Sequence, residues 1–275
     1  VQQPNLLALC ISYSLLPSAS LLQAKNPMLP SFIKDRHYRK ARKLCEKHVQ
    51  EVRSPDLVEN PLLTVLFLTY NHEPFVRQAL DSVLMQKTSF PFEVVISDDC
   101  STDGTREIVQ EYYEKHPDKI RLLLSDKNLW NFRGNGFGSA IFLELFEAGT
   151  RSKYNALLEG DDYWTHEDKL QIQVDFLEAN PEYSACYHDI MVLDPDNKLK
   201  YKHKDKNVVK TQKTLLNPSV MPTPSIVYNS KIIDLCKYLI INYNITGDHA
   251  VTWSVGNYGC AYNIKNISGS AIYRK

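Results

Sequence analysis

The sequence lacks an excess of charge of either sign. Its 275 residues hold 32 Lys+Arg against 32 Asp+Glu. A neutral chain has none of the broad basic footprint that nucleic-acid binding requires, so no nucleic-acid partner is expected. Cysteine is sparse and scattered: the six fall at Cys10, Cys45, Cys100, Cys186, Cys236 and Cys260, and no two have metal-ligand or redox spacing. They read as reduced, buried thiols of a cytosolic protein and not as a disulfide framework. No glycine-rich loop with a lysine is present to cradle phosphates, which excludes P-loop chemistry. The stretch Gly134-Asn135-Gly136-Phe137-Gly138 is glycine-rich, but it follows a loop and lacks dinucleotide-binding spacing. Internal repeats and low-complexity segments are also missing. Residues Leu6 to Leu22 are apolar, yet Pro17 and several serines interrupt them, and a bilayer span needs about 20 predominantly apolar residues. This run is read as an arm or a hydrophobic helix packed on the domain, with an anchoring role as the alternative.

What is present is ordinary for a globular protein: 43% hydrophobic and 23% charged residues. The length accommodates one large α/β domain preceded by an arm. Residues 1–58 form that expected arm, partly helical and basic, with Lys34, Arg36, Arg39, Lys40, Arg42, Lys43, Lys47 and Arg53. Such a segment could touch an anionic membrane surface, but a solvated helix face is the favoured reading. A second basic stretch, Lys198, Lys200, Lys202, Lys204 and Lys206, alternates strictly after Asp194-Pro195-Asp196-Asn197 and predicts an exposed hairpin or loop edge.

From residue 59 onward the chain alternates between strand and helix. Leu62 to Leu68 is a continuous apolar run, as expected of a buried parallel strand, and it stops at Thr69-Tyr70-Asn71. Phe75, Val76, Ala79, Leu80, Val83 and Leu84 recur at helical spacing. Phe92 to Ile96 predicts a second strand, and a second helix follows Asp103-Gly104. Ile120 to Leu124 predicts a third strand, with a further helix over roughly Ser139 to Ala148. Tyr154 to Leu158 then runs into Glu159-Gly160-Asp161-Asp162. Thr165 with Asp168 has capping-box spacing and would open a helix with Leu170, Val174 and Leu177 inward, closed at Asn180-Pro181. This alternation predicts a mostly parallel, Rossmann-like sheet with helices on both faces.

The acidic pairs carry the functional signal. Asp98-Asp99 and Asp161-Asp162 each follow directly on an apolar strand. In an open parallel sheet, ligands bind outside the carboxyl ends of the strands, so both pairs and Thr69-Tyr70-Asn71 should reach one crevice. One such pair alone is most simply a turn or helix start. Two pairs in one crevice repel each other unless a cation intervenes, and carboxylate oxygens suit Mn²⁺ or Mg²⁺ shared with a diphosphate.

These residues bear a resemblance. The segments Val65-Leu66-Phe67-Leu68-Thr69-Tyr70-Asn71, Ala79 to Gln86, Val94 to Thr105 and Leu158-Glu159-Gly160-Asp161-Asp162-Tyr163-Trp164 resemble, in order and spacing, the family 2 glycosyltransferases of the GT-A fold, from about Pro61 to Lys275. The resemblance implies a nucleotide-binding half over 61–165 and an acceptor half over 166–275. It implies that Tyr70 packs on the nucleotide base, Asp99 hydrogen-bonds the base edge and Asp98 supports that turn. Asp162 would be the main metal ligand, with Asp161 serving the ribose or the metal, and Glu159 stands where an aspartate is common. Trp164 belongs to the motif of Asp161 and Asp162. The region Asn128 to Gly138 departs from the family's pattern, and Arg133 within it is still expected to reach the diphosphate. Pro222 to Tyr228 resembles the segment lining the acceptor side. Thr246-Gly247-Asp248-His249 resembles the motif of the catalytic base, which makes Asp248 the base and places His249 beside the acceptor. A helix N-cap is the competing reading of Asp248.

The resemblance thus implies a metal-dependent, inverting transferase that moves a sugar, most simply from a UDP-sugar, to a saccharide or lipid-linked saccharide. The setting would be bacterial surface-polysaccharide synthesis at the inner face of the cytoplasmic membrane. A nucleotidyltransferase is disfavoured, because Thr69-Tyr70-Asn71-His72-Glu73-Pro74 stands where such enzymes carry a glycine-rich triphosphate loop. A non-catalytic nucleotide-sugar-binding or scaffold protein of the same fold is the alternative.

Overall fold

The computed structural model describes residues 36–130, 140–196, 198–201, 208–215, 221–243 and 245–275. The apolar run 6–22, Lys34, Arg133, the glycine-rich stretch 134–138 and Lys202, Lys204 and Lys206 lie outside the described residues.

The apolar runs become the centre of a nine-stranded sheet. Strands β2 (Leu63–Thr69), β3 (Phe92–Asp98), β4 (Ile120–Ser125) and β5 (Tyr154–Glu159) form a parallel block in the order β4-β3-β2-β5. The chain steps outward from β2 through β3 to β4, then returns to the other side of β2 as β5. The order therefore reverses at the β2–β5 seam, where an open α/β sheet places its ligand crevice.

Each strand of the block is apolar on both faces, because helices cover both. Val65, Phe67, Val94, Ile96, Ala156 and Leu158 face one core with helices α2 (Val76–Leu84), α3 (Thr105–Lys115) and α5 (Lys169–Ala179). Leu66, Val95, Leu123 and Leu157 face the other, with α4 (Ala140–Ala148), α7 (Ile233–Tyr243) and α8 (Gly247–Tyr258). Burying each of these side chains contributes roughly 1.5–3 kcal/mol, so the block is well able to hold the crevice at its end.

Strands of mixed direction extend the parallel block on both sides. β11 (Val227–Asn229) joins β5 to β7 (Tyr183–Tyr187), followed by β12 (Cys260–Asn263) and β10 (Val209–Lys210). At the opposite edge β1 (Val49–Val52) pairs antiparallel with β4. It follows helix α1 (Arg36–His48), whose Ala41 and Cys45 are buried in the α4 core. Residues 36–52 of the expected arm are thus part of the packed domain. Tyr38 and Leu44 pack against the same core, and Arg42 meets Glu144 on α4 at 3.0 Å. Arg121 reinforces the edge: it reaches Glu51 at 3.0 Å and the fully buried Glu93 at 3.2 Å. Arg151 meets Glu93 at 3.3 Å from the other side. No helix among the described residues is long and apolar enough to cross a membrane.

A second sheet of four strands runs β6-β13-β8-β9, from β6 (Tyr163–Trp164), β13 (Ala271–Arg274), β8 (Met191–Leu193) and β9 (Leu199–Tyr201). β8 and β9 make the hairpin expected of the alternating lysines, with Lys200 on Asp194 at 2.7 Å. The capping box at Thr165 does not form. Helix α5 starts at Lys169 after Asp168, and the Thr165 hydroxyl donates to the Gly269 carbonyl instead. The chain between β6 and α5 is drawn toward the second sheet, which removes Thr165 from the helix axis.

Candidate active site

Three strand ends meet at the crevice in register. Thr69 lies opposite Asp98 across β2–β3, and Leu68 lies opposite Glu159 across β2–β5. The turns that leave these strands are locally demanding. Asn71 and Cys100 adopt positive φ of 54° and 66°, a conformation uncommon outside glycine and typical of constrained sites. The Asn71 side chain accepts from the Thr102 N–H at 2.8 Å, so it braces the two turns against each other. Tyr70 projects at the rim with 40% of its surface exposed, an apolar ring open to a planar ligand.

The two residues of the first acidic pair do different work. Asp98 is fully buried. It accepts from the Arg106 guanidinium at 2.6 Å and from the Ser101 hydroxyl, which ties the turn to α3. Asp99 takes the backbone N–H groups of Leu129 and Trp130 at 2.7 and 2.9 Å, one on each oxygen. Burial pushes its carboxyl up to about 6 against the pull of those two donors.

The second pair gathers with Glu159. The carboxylates of Glu159, Asp161 and Asp162 each offer an oxygen within 4.8 Å of the others. Asp162 is completely buried; desolvation, followed by the charge of Asp161, raises its carboxyl to about 9. Burial, then Asp161 and Asp248, raises Glu159 to about 7. Asp161 Oδ1 and Asp162 Oδ2 are buried and have no hydrogen-bond partner. Buried carboxylate oxygens without donors are costly, and a hard divalent cation is the group that would relieve them. The cluster therefore fits Mn²⁺ or Mg²⁺.

Gly160 allows this geometry. A Cβ there would lie 2.6 Å from Thr69 Oγ1 and 2.8 Å from His72 Nδ1. His72 fills the space between β2 and the acidic turn, with Nε2 at 3.9 Å from Asp161 and Nδ1 at 3.3 Å from Thr69 Oγ1; burial lowers its pKa.

Asp248 lies in the first turn of α8 and is not its N-cap; Thr246 holds that position. The Asp248 Oδ1 atom accepts from the Thr246 hydroxyl and from the His249 backbone N–H at 2.8 Å, and lies 3.3 Å from His249 Nδ1. His249 Nδ1 also sits 2.8 Å from Thr246 Oγ1. Since the threonine has one proton, a consistent pattern has His249 donating to Thr246 and Thr246 donating to Asp248. The His249 bond, then those of Thr246, hold Asp248 below the usual carboxylate range despite its burial, and Asp248 raises His249 in turn.

Trp164 is buried at 2% exposure, and its indole donates to the Pro224 carbonyl at 2.7 Å. It thus holds the turn ahead of β11 and does not face a ligand. Tyr273 and Arg274, at the end of β13, come to the acidic turn from the second sheet. The charges of Asp162, Glu159, Asp161 and Asp248 all help to raise the Tyr273 phenol, after burial. Their place was invisible to strand-end reasoning, which follows only the parallel block.

The family model described as Glycosyl transferase family 2 matches residues 64–235. The chain belongs to that family. The family-2 match covers both acidic pairs and ends before Asp248. An uncharacterized protein of Mycobacterium tuberculosis is 39% identical over 134 residues, which is 49% of this chain and 36% of that protein. The putative teichuronic acid biosynthesis glycosyltransferase TuaG of Bacillus subtilis is 34% identical over 136 residues, 49% of each chain. The chain thus spans half or less of the length of these relatives. Among solved structures, residues 1–349 of Staphylococcus aureus TarS in complex with UDP-GlcNAc align with a TM-score of 0.58 at 19% identity, covering 78% of this chain and 58% of that one. The mannosyltransferase PcManGT of Pyrobaculum calidifontis, in complex with GDP-Man and Mn²⁺, aligns at 0.53 and 18% identity, covering 92% and 68%. These similarities are in fold, which is of the GT-A type.

Proposed function

We propose that this chain is a metal-dependent, inverting glycosyltransferase that moves a sugar from a nucleotide-diphosphate donor, a UDP-sugar, to a hydroxyl of a saccharide or lipid-linked saccharide. The observation that carries the reading is the pair of buried, unpartnered oxygens, Asp161 Oδ1 and Asp162 Oδ2, at the strand-order reversal. Family membership and neighbours named as complexes with UDP-GlcNAc and with GDP-Man and Mn²⁺ support it.

In this reading Tyr70 stacks on the base, and Asp99 offers its remaining lone pairs to the base edge. Asp162 and Asp161 hold the divalent cation, which when bound neutralises charge on the departing diphosphate. Glu159 borders that cluster on the side of Asp248. Arg133, outside the described residues, would add a positive charge near the diphosphate. Asp248 removes the acceptor proton. The contacts of Thr246 and His249 fall on Oδ1, which leaves Oδ2 to receive it. The acceptor oxygen then bonds to the anomeric carbon from the face opposite the bond to phosphate. That bond breaks, and the nucleoside diphosphate leaves with the electron pair. Attack from the opposite face inverts the anomeric configuration. The name of TuaG supports an acceptor in surface-polysaccharide synthesis, with the basic outer face of α1 available for peripheral membrane contact.

A donor-hydrolysis assay over a panel of nucleotide sugars with Mn²⁺ tests this directly. Turnover of a UDP-sugar by the wild type, lost in Asp162→Asn, is expected. Tight UDP and Mn²⁺ binding without turnover of any donor or transfer to any acceptor would favour a non-catalytic binding protein.

A further inference from the structure

We propose that Arg274 is the positioning residue of the Asp161–Asp162 turn and that its clamp sets the affinity of this turn for a divalent cation; the inference rests on the metal-dependent reading above. Three acidic side chains within 4.8 Å repel one another, so the turn needs a mechanical restraint to stay assembled before a cation arrives. Arg274 supplies it from the opposite side. Its backbone N–H donates to Asp162 Oδ1 at 2.9 Å, and its guanidinium donates to the Asp161 carbonyl and to Gln78 Oε1 on α2. The guanidinium carbon lies 4.7 Å from the centroid of the Phe75 ring and 4.8 Å from that of the Tyr163 ring. Pairing of Ile272 with Tyr163 across β13–β6 fixes the register that brings it there.

The division of bonds is informative. The backbone N–H occupies one oxygen of Asp162 and leaves Oδ2 unpartnered. The guanidinium holds the peptide carbonyl of Asp161, not its carboxylate, and leaves Oδ1 unpartnered. Arg274 thus fixes both aspartates without taking the oxygens a cation would use. A planar guanidinium can donate in two directions while its faces contact aromatic rings; a lysine ammonium is a point charge and cannot.

The test titrates the whole chain with Mn²⁺ in the absence of donor, by calorimetry and by electron paramagnetic resonance of free Mn²⁺, for wild type, Arg274→Lys, Arg274→Ala, Phe75→Leu and Asp162→Asn. Loss of groups that orient metal ligands typically costs 10- to 100-fold in affinity. Both Arg274 variants are expected to weaken Mn²⁺ by about that factor, and Phe75→Leu by about two- to fivefold because the hydrogen bonds remain. The KM for Mn²⁺ should rise in parallel, with kcat at saturating Mn²⁺ within about twofold of wild type. Wild-type Mn²⁺ affinity in Arg274→Lys overturns the clamp, as does a fall in kcat with unchanged affinity. Phe75→Leu decides the matter if the Arg274 variants do not fold. Mn²⁺ binding that survives Asp162→Asn overturns the metal reading itself, and this inference with it.

Discussion

Gly160 packs against Thr69 so closely that a β-carbon on Gly160 would sit 2.6 Å from the threonine hydroxyl. Two adjacent parallel strands thus end with no room for a side chain between them. Gly160→Ala must displace Thr69 or His72, and with either the acidic turn. We expect it to weaken Mn²⁺ binding at least tenfold and to cost about 1–3 kcal/mol of stability, read by calorimetry and urea denaturation.

Asp248→Asn keeps the shape of the first turn of α8 and removes the proton acceptor. Transfer should fall by roughly 10²- to 10⁴-fold in kcat, with UDP affinity unchanged. Comparable loss of UDP binding would place Asp248 in donor recognition and not in catalysis.

Tyr70 is the exposed ring at the rim. Stacking of a base on an aromatic ring is worth about 1–3 kcal/mol, so Tyr70→Ala should weaken UDP roughly 5- to 150-fold, by calorimetry. The circular dichroism spectrum should stay unchanged.

The raised carboxyls of Glu159, at about 7, and Asp162, at about 9, give a signed pH dependence. A carboxyl raised in the folded state binds more protons there than in the unfolded chain. Its stabilising contribution is present below the unfolded value and lost as pH rises through the folded one. The metal-free protein should therefore lose thermal stability from about pH 4, near the unfolded values, to about pH 9, and Mn²⁺ should restore more of it at the upper end. Asp162→Asn should flatten the profile. Calorimetry in buffers of different ionisation enthalpy should show protons released on Mn²⁺ binding.

The His249–Asp248 pair has the opposite limits. Raised His249 contributes below about pH 6.5 and loses its contribution as pH rises through its folded value; lowered Asp248 contributes above about pH 4. His249→Gln should cost up to about 1 kcal/mol near pH 5.5 and little at pH 8.5, by urea denaturation, because both side chains are partly exposed.

Where the chemistry sits at the end of an apolar run, it could be read from residue order alone. Thr69, Asp98, Asp161 and Asp162 stand where the apolar runs Val65–Leu68, Val94–Ile96 and Ala156–Leu158 stop; earlier in the block, charge is buried as the pair Glu93 and Arg121. Helix starts were less legible. Thr165 and Asp248 both have capping chemistry, yet Asp168 and Thr246 precede the helices. Strand β6 draws Thr165 away, and Asp248 is engaged by its neighbours. Asp99, which the resemblance assigns to the base edge, also holds the backbone N–H groups of Leu129 and Trp130. The docking of α1 buries Ala41 and Cys45, with Tyr38 and Leu44 packed beside them, and these residues stand scattered among lysines and arginines. Arg274 reaches the acidic turn only through the register of the second sheet, which no local pattern encodes.

The bond between Arg274 and Asp162 joins residues 112 positions apart. The second sheet that carries Arg274 there is built from strands that all follow the parallel block in the chain. A partly folded chain could therefore complete its parallel block and offer a surface for the base while its acidic turn was still slack. Affinity for the nucleotide and affinity for the cation should then appear at different times during refolding, the second only when the last strand docks.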